Sequence, residues 1–337
     1  MTEIDTFQLD SRDADLQRPT HEAFVYIAEH EGLDIGVGVV DARKKSLETG
    51  ELEGRTIIWP MAYLARMDAF ETQRLVVVAE ALNARVVGVE TAGVGVSEDA
   101  KSLFLQKLDL LKGNFNSSAH AMLGALRETI DFADGDEVEF LLFSQGAALG
   151  VAMIEDLGKK AHGLDLSVPK VTIIEAVNDQ PWNLKKLLDA IGKEDKYTDR
   201  YLDENKRHEW LEPPSDRTEA GKIERKKLDR KQLISTLLGG AALRKSFNPV
   251  LLKAIDRDKE TRNTGISQAQ IAILKFDDSG VSRLEQHKLT LDQLRQAMPL
   301  GRLALTVMTS AEGQDGHHHP AIHSMYNMDV IARQLLT

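Results

Sequence analysis

The chain contains no cysteine, which excludes disulfides, thiol nucleophiles and Cys-ligated zinc or iron–sulfur centres. No run approaches the roughly 18 consecutive apolar residues of a membrane-spanning helix. The opening stretch, MTEIDTFQLDSRDADLQ, is acidic and lacks the apolar core of a secretory signal. Basic residues are outnumbered: 42 Lys and Arg against 53 Asp and Glu leave a formal charge of −11, which argues against nucleic acid as the main partner. Aromatic residues are sparse, at 5%. The expectation is a cytoplasmic globular protein with neither nucleic-acid nor membrane partners. What is present in quantity is aliphatic: hydrophobic residues make up 42% of the 337, ample for a sizeable core.

Those aliphatic residues fall into an alternating pattern. Short β-branched runs over residues 24–28, 35–40, 56–59, 85–89, 138–143, 171–175, 271–276 and 303–308 read as strands. Between several of them, residues 68–82, 117–132, 147–157 and 284–297 carry apolar positions at three- and four-residue spacing and read as helices. VEFLLF, VTII and IAIL are apolar without alternation, as expected of parallel strands buried on both faces. The rhythm stops between residues 178 and 268, where charges, Pro213-Pro214 and Gly239-Gly240 accompany helical patterns. The division expected is a polar N-terminal segment over 1–20, a core over 21–177 and 269–337, and a helical lid or cap inserted at 178–268. Within that insertion, the Lys/Arg/Glu/Asp mixture over 222–231 reads as a solvated helix face.

The stretch richest in chemistry is VEFLLFSQGAALGVAM, residues 138–153. A hydrophobic strand runs directly into Ser144, and a helix of small residues follows at once. A serine on so tight a strand–turn–helix junction is held in a strained conformation with its hydroxyl above the strand's end. Gly146, Ala147, Ala148 and Gly150 let the helix pack close to the sheet, and its first N–H groups face a developing oxyanion.

This F-S-Q-G turn resembles the nucleophile elbow of the α/β-hydrolase fold family, small-x-Ser-x-small. Leu142 stands where the family usually has glycine. The resemblance extends upstream to LVVVAEALNARVVGVETAGVGVSED, with a G-x-G-x-S turn at Gly93, Gly95 and Ser97, and to RTIIWPMAY, where Trp59-Pro60 occupies the place of the family's His-Gly. A dinucleotide-binding loop is rejected, because the third glycine of G-x-G-x-x-G is missing. The resemblance implies an eight-stranded, mostly parallel sheet with a cap after the sixth strand. It also implies a triad in the chain order Ser, acid, His. Its acid is Asp278, with Asp277 as alternate; Glu175 and Asp179 are a second place where relatives carry it. Its base is His317, from Gly316-His317, with His318, His319 and His323 as rivals. Its oxyanion donors are the backbone N–H groups of Met61 and Gln145; Pro60 has none to give, so Met61 or Ala62 must serve.

Asp315, His317, His319 and His323 have metal-ligand chemistry, but no H-E-x-x-H pattern accompanies them, so neither metal nor cofactor is expected. The activity implied is that of a serine hydrolase cleaving a carboxylic ester or related acyl bond of a small molecule. A serine at the elbow sets the chain apart from the aspartate-nucleophile design of dehalogenases and epoxide hydrolases. Thioester, amide or peptide cleavage on the same triad is the nearest alternative. A fold relative that has lost catalysis and binds a ligand or protein is the other.

Overall fold

Aliphatic runs with no polar side are stable only as strands covered on both faces, and helices of matching apolar stripe supply the cover. The computed structural model describes residues 4–10, 16–50, 52–61, 65, 67–91, 104–177, 182–194, 208–211, 245–310, 317 and 323–337. Its strands are β1 (Asp5–Leu9), β2 (Phe24–His30), β3 (Leu33–Asp41), β4 (Lys44–Lys45), β5 (Leu52–Glu53), β6 (Thr56–Pro60), β7 (Arg85–Val89), β8 (Glu139–Phe143), β9 (Lys170–Ile174), β10 (Gln270–Phe276) and β11 (Arg302–Ser310). Its helices include α1 (Ala69–Leu82), α2 (Phe104–Lys112), α3 (Asn116–Thr129), α4 (Gly146–Leu157), α5 (Leu184–Glu194), α6 (Asn248–Thr261), α7 (Leu284–Ala297) and α8 (Met325–Leu335).

Nine strands form one sheet in the order β1-β11-β10-β9-β8-β6-β7-β3-β2. Only β3 runs against its neighbours β2 and β7; the other pairs are parallel. All eight strands expected from the aliphatic runs are present. The ninth, β1, adds to the far edge beside β11, so part of the polar N-terminal segment is sheet. One apolar core lies between the sheet and α3, α4, α6 and α7; the other lies between the sheet and α1 and α8. Within the stretch assigned to the cap, α6 packs on α4 and contributes Leu251, Ala254 and Ile255 to the first core. Among the described residues, no helix is long and apolar enough to cross a membrane.

Two features bring the carboxyl ends of the strands into position. The first is a size exchange between β8 and α4. Leu142 is fully buried, and a Cβ added at Gly150 would run into its side chain. The bulk that the family's glycine would omit from the strand is thus accepted by a glycine in the helix. The second is the turn between β10 and α7, which is knitted by buried polar groups. Ser279 Oγ accepts the Ser282 N–H at 3.2 Å, and Ser282 Oγ shares a hydrogen bond with His287 Nε2 at 2.6 Å. Burial pushes the His287 imidazole down to about 4, and the Lys275 ammonium adds to this while the Glu175 carboxylate opposes it.

The size exchange predicts coupled stabilities. Leu142→Ala should cost about 2–4 kcal/mol by urea denaturation, and Gly150→Ala about 1–3 kcal/mol by overpacking. The double variant should lose clearly less than the sum, whereas strict additivity would contradict the packing account. The His287 environment predicts acid sensitivity. The folded chain keeps His287 neutral down to about pH 4, while the unfolded chain protonates it near 6.5, so stability is lost as pH falls through that window. Thermal denaturation at pH 7 and pH 4.5 should therefore fall less steeply for His287→Gln than for the wild type; parallel slopes would contradict the assignment.

Candidate active site

Ser144 follows the last residue of β8, and α4 opens two residues later. Its backbone is left-handed, with φ +50°, a region that a non-glycine residue occupies only at a cost of about 1–2 kcal/mol. The chain can turn so sharply because Ser144 N–H still donates to Ile174 O at 3.0 Å, keeping the residue in the sheet while the helix departs. Gly146 closes the bend: a Cβ there would lie 2.6 Å from Pro60 O, so any side chain would drive the helix off β6. Gln145, the N-cap residue of α4, directs a backbone N–H that takes no hydrogen-bond partner among the described residues.

The neighbouring strand end is held as firmly. The Met61 N–H donates to Val89 O at 2.9 Å, which continues the β6–β7 ladder. The Met61 N–H, expected as an oxyanion donor, is thus committed to the sheet; Ala62, its alternative, lies outside the described residues. Trp59 stacks on Phe143 with ring centroids 4.9 Å apart, joining the residues just ahead of Pro60 and Ser144. The Arg74 guanidinium lies 5.0 Å over Trp59 and is paired with Glu71 at 2.6 Å, both side chains buried. A desolvated cation over two aromatic faces gains cation–π attraction and resists displacement of either strand end.

The sequence-derived acids are placed differently from expectation. Asp277 and Asp278 are exposed on the turn after β10, and Asp277 Oδ1 accepts the Asp278 N–H at 3.0 Å. Neither carboxylate reaches His317 by a hydrogen bond or ion pair among the described residues. The carboxylate that does approach His317 is Glu194, the last residue of α5, whose Oε1 lies 3.7 Å from His317 Nδ1. Glu194 is 2% exposed and accepts the Gly280 N–H at 2.6 Å. Sequence reading missed it. Nothing in WNLKKLLDAIGKE distinguishes that carboxylate from its solvated neighbours, and only docking of α5 buries it.

Glu175, the sequence's second place for an acid, is fully buried one residue beyond the pair Phe143↔Ile174, on the strand beside Ser144. It too is left-handed, at φ +52°, and its Oε1 accepts the Phe276 N–H at 2.5 Å. Of the remaining base candidates, His323 packs against Phe70 with centroids 6.2 Å apart. His318 and His319 lie outside the described residues, as do Asp179 and the Gly93, Gly95, Ser97 turn. Among the described residues, no hydrogen bond joins Ser144 Oγ to His317 or His323. No group of three or more His, Asp or Glu among the described residues is arranged to hold a metal ion.

Protein-family models give no match to this sequence, and neither do the curated proteins. Solved structures do match. A haloalkane dehalogenase, DatA from Agrobacterium tumefaciens C58, is 14% identical and aligns over 93% of this chain and 95% of its own, with a TM-score of 0.52. A point mutant of the same enzyme reaches 0.53 at the same identity, over 93% of this chain and 96% of its own. A mutant epoxide hydrolase from Vigna radiata is 11% identical over 94% of this chain and 98% of its own, with a TM-score of 0.50. Identity this low speaks for the fold alone, and the strand order, the single reversed strand and the serine at the β8–α4 bend agree with it. The chain adopts the α/β-hydrolase fold.

Proposed function

We propose that the protein is a serine hydrolase that cleaves a carboxylic ester or related acyl bond through an acyl-enzyme, with Ser144 as nucleophile and His317 as base. The observation that carries this reading is the left-handed Ser144 at the strand–helix bend. Backbone strain persists only where the surroundings over-determine it, and here Gly146 against Pro60 O does so. The helix that begins immediately afterwards has Gln145 at its N-cap, which supplies the backbone N–H proposed as an oxyanion donor. The fold is shared with a dehalogenase and an epoxide hydrolase, and a serine at the bend directs the reading to acyl groups.

In this reading His317 takes the Ser144 Oγ proton as the oxygen attacks the carbonyl carbon. The Gln145 N–H stabilises the tetrahedral oxyanion, with Ala62 proposed as the second donor. The imidazolium returns the proton to the departing alcohol as the acyl-enzyme forms. Water, deprotonated by the same imidazole, then attacks the acyl carbon, and the acid product leaves with Ser144 regenerated.

A fluorophosphonate probe tests the reading directly. The wild-type chain should be modified at Ser144, and the adduct should be located there by peptide mass spectrometry. Ser144→Ala should abolish labelling, and His317→Ala should slow both labelling and p-nitrophenyl acetate turnover by on the order of 10³-fold or more. A folded wild-type chain that resists the probe would leave only a ligand-binding role for the fold. Turnover of acyl-CoA or aminoacyl anilides in preference to short esters would reassign the acyl chemistry.

A further inference from the structure

We propose that Glu194, at the end of the cap helix α5, is the positioning residue for His317, so that the base is oriented only while that helix is docked on the turn after β10. The inference rests on the serine-hydrolase reading of Ser144 and His317 and names the group that reading leaves open.

A carboxylate at 2% exposure is expensive to bury unless hydrogen-bond donors or a positive charge receive it. Glu194 accepts the Gly280 N–H at 2.6 Å and faces His317 Nδ1 at 3.7 Å through the same oxygen, Oε1. A carboxylate on the Nδ1 side fixes the tautomer that leaves Nε2 to receive a proton, and it stabilises the imidazolium once that proton arrives. Asp277 and Asp278 sit on the same turn but point to solvent. The turn thus supplies a backbone N–H that aims Glu194, rather than a carboxylate of its own.

The placement does not depend on Glu194 alone. Trp182, two residues ahead of α5, is buried between Val177 and Val281, and its indole N–H donates to Val177 O. The Arg283 guanidinium lies 5.0 Å over the Trp182 ring. Ala190, midway along α5, packs on the same cluster. The helix is therefore fastened to residues 280–283 before, along and at the end of its length, and that turn is itself knitted by Ser279, Ser282 and His287. Undocking α5 withdraws the carboxylate from His317, which makes docking of this part of the cap and readiness of the base a single event.

The test uses the full chain and p-nitrophenyl acetate, with fluorophosphonate labelling in parallel. Glu194→Gln keeps an oxygen for the Gly280 N–H but removes the charge. It should lower kcat by on the order of 10²-fold or more with KM within about threefold and an unchanged melting temperature. Glu194→Asp should recover a substantial part of the loss. A low-field imidazole N–H resonance present in the wild type should vanish in Glu194→Gln. Turnover of Glu194→Gln within about threefold of wild type overturns the proposal, as does a loss shared equally by the Gln and Asp variants with a lowered melting temperature. So does a loss that falls on Asp278→Asn instead. These results leave Ser144 labelling by wild type intact and so condemn only the role of Glu194, whereas a wild type that is never labelled removes the hydrolase reading and this inference together.

Discussion

A single backbone conformation organises the carboxyl edge of the sheet: Ser144 at φ +50°, where β8 ends and α4 has not yet begun. Such a bend is stable only if the helix can lie almost against the sheet, and the surrounding residues are those that permit it. Gly146 admits Pro60 O, and Gly150 admits the Leu142 side chain. Trp59 and Phe143 lock the two strand ends that flank the bend, with Arg74 capping the pair. The small residues of α4 are therefore consequences of the turn at Ser144 rather than independent preferences. Leu142 shows that the constraint concerns combined volume across the β8–α4 contact, not the identity of one position.

Much of this was legible from the amino-acid order, for reasons that differ by element. VEFLLF, VTII and IAIL announce buried parallel strands because no alternation is possible when both faces are covered. The serine elbow is legible because its chemistry is local: a strand, a serine, a glycine and a helix in immediate succession. β1 escaped because DTFQL is an edge strand, largely exposed, with too few aliphatic residues to stand out. The Met61 N–H could not be assigned from its position in the chain, since only the register with β7 decides that it bonds Val89 O. Glu194 was illegible for a deeper reason. Its role depends on a helix docking onto a turn more than eighty residues away, and a carboxylate's burial is a tertiary property that spacing does not encode.

Buried ionisable groups gather where the strands end. Glu90, Glu175, Lys275, His287 and Glu194 are each nearly inaccessible, although charged side chains are almost never fully buried without partners. Their partners include backbone N–H groups, Met67 for Glu90, Phe276 for Glu175 and Gly280 for Glu194, and the Ser282 hydroxyl for His287. Apolar residues would cost less at these positions. The concentration of buried polarity at the carboxyl edge, beside the strained serine, is the distribution expected where open α/β sheets bind and transform ligands.

The strain at Ser144 can be weighed directly by comparing the unfolding free energies of Ser144→Gly and Ser144→Ala. If the bend holds the residue against its own preference, glycine relieves the left-handed conformation and alanine does not. The glycine variant should then be the more stable by about 1 kcal/mol, even though glycine ordinarily costs unfolded-state entropy. Equal stabilities, or a more stable alanine variant, would mean that the backbone at Ser144 is relaxed and that the organising role given to it here is wrong.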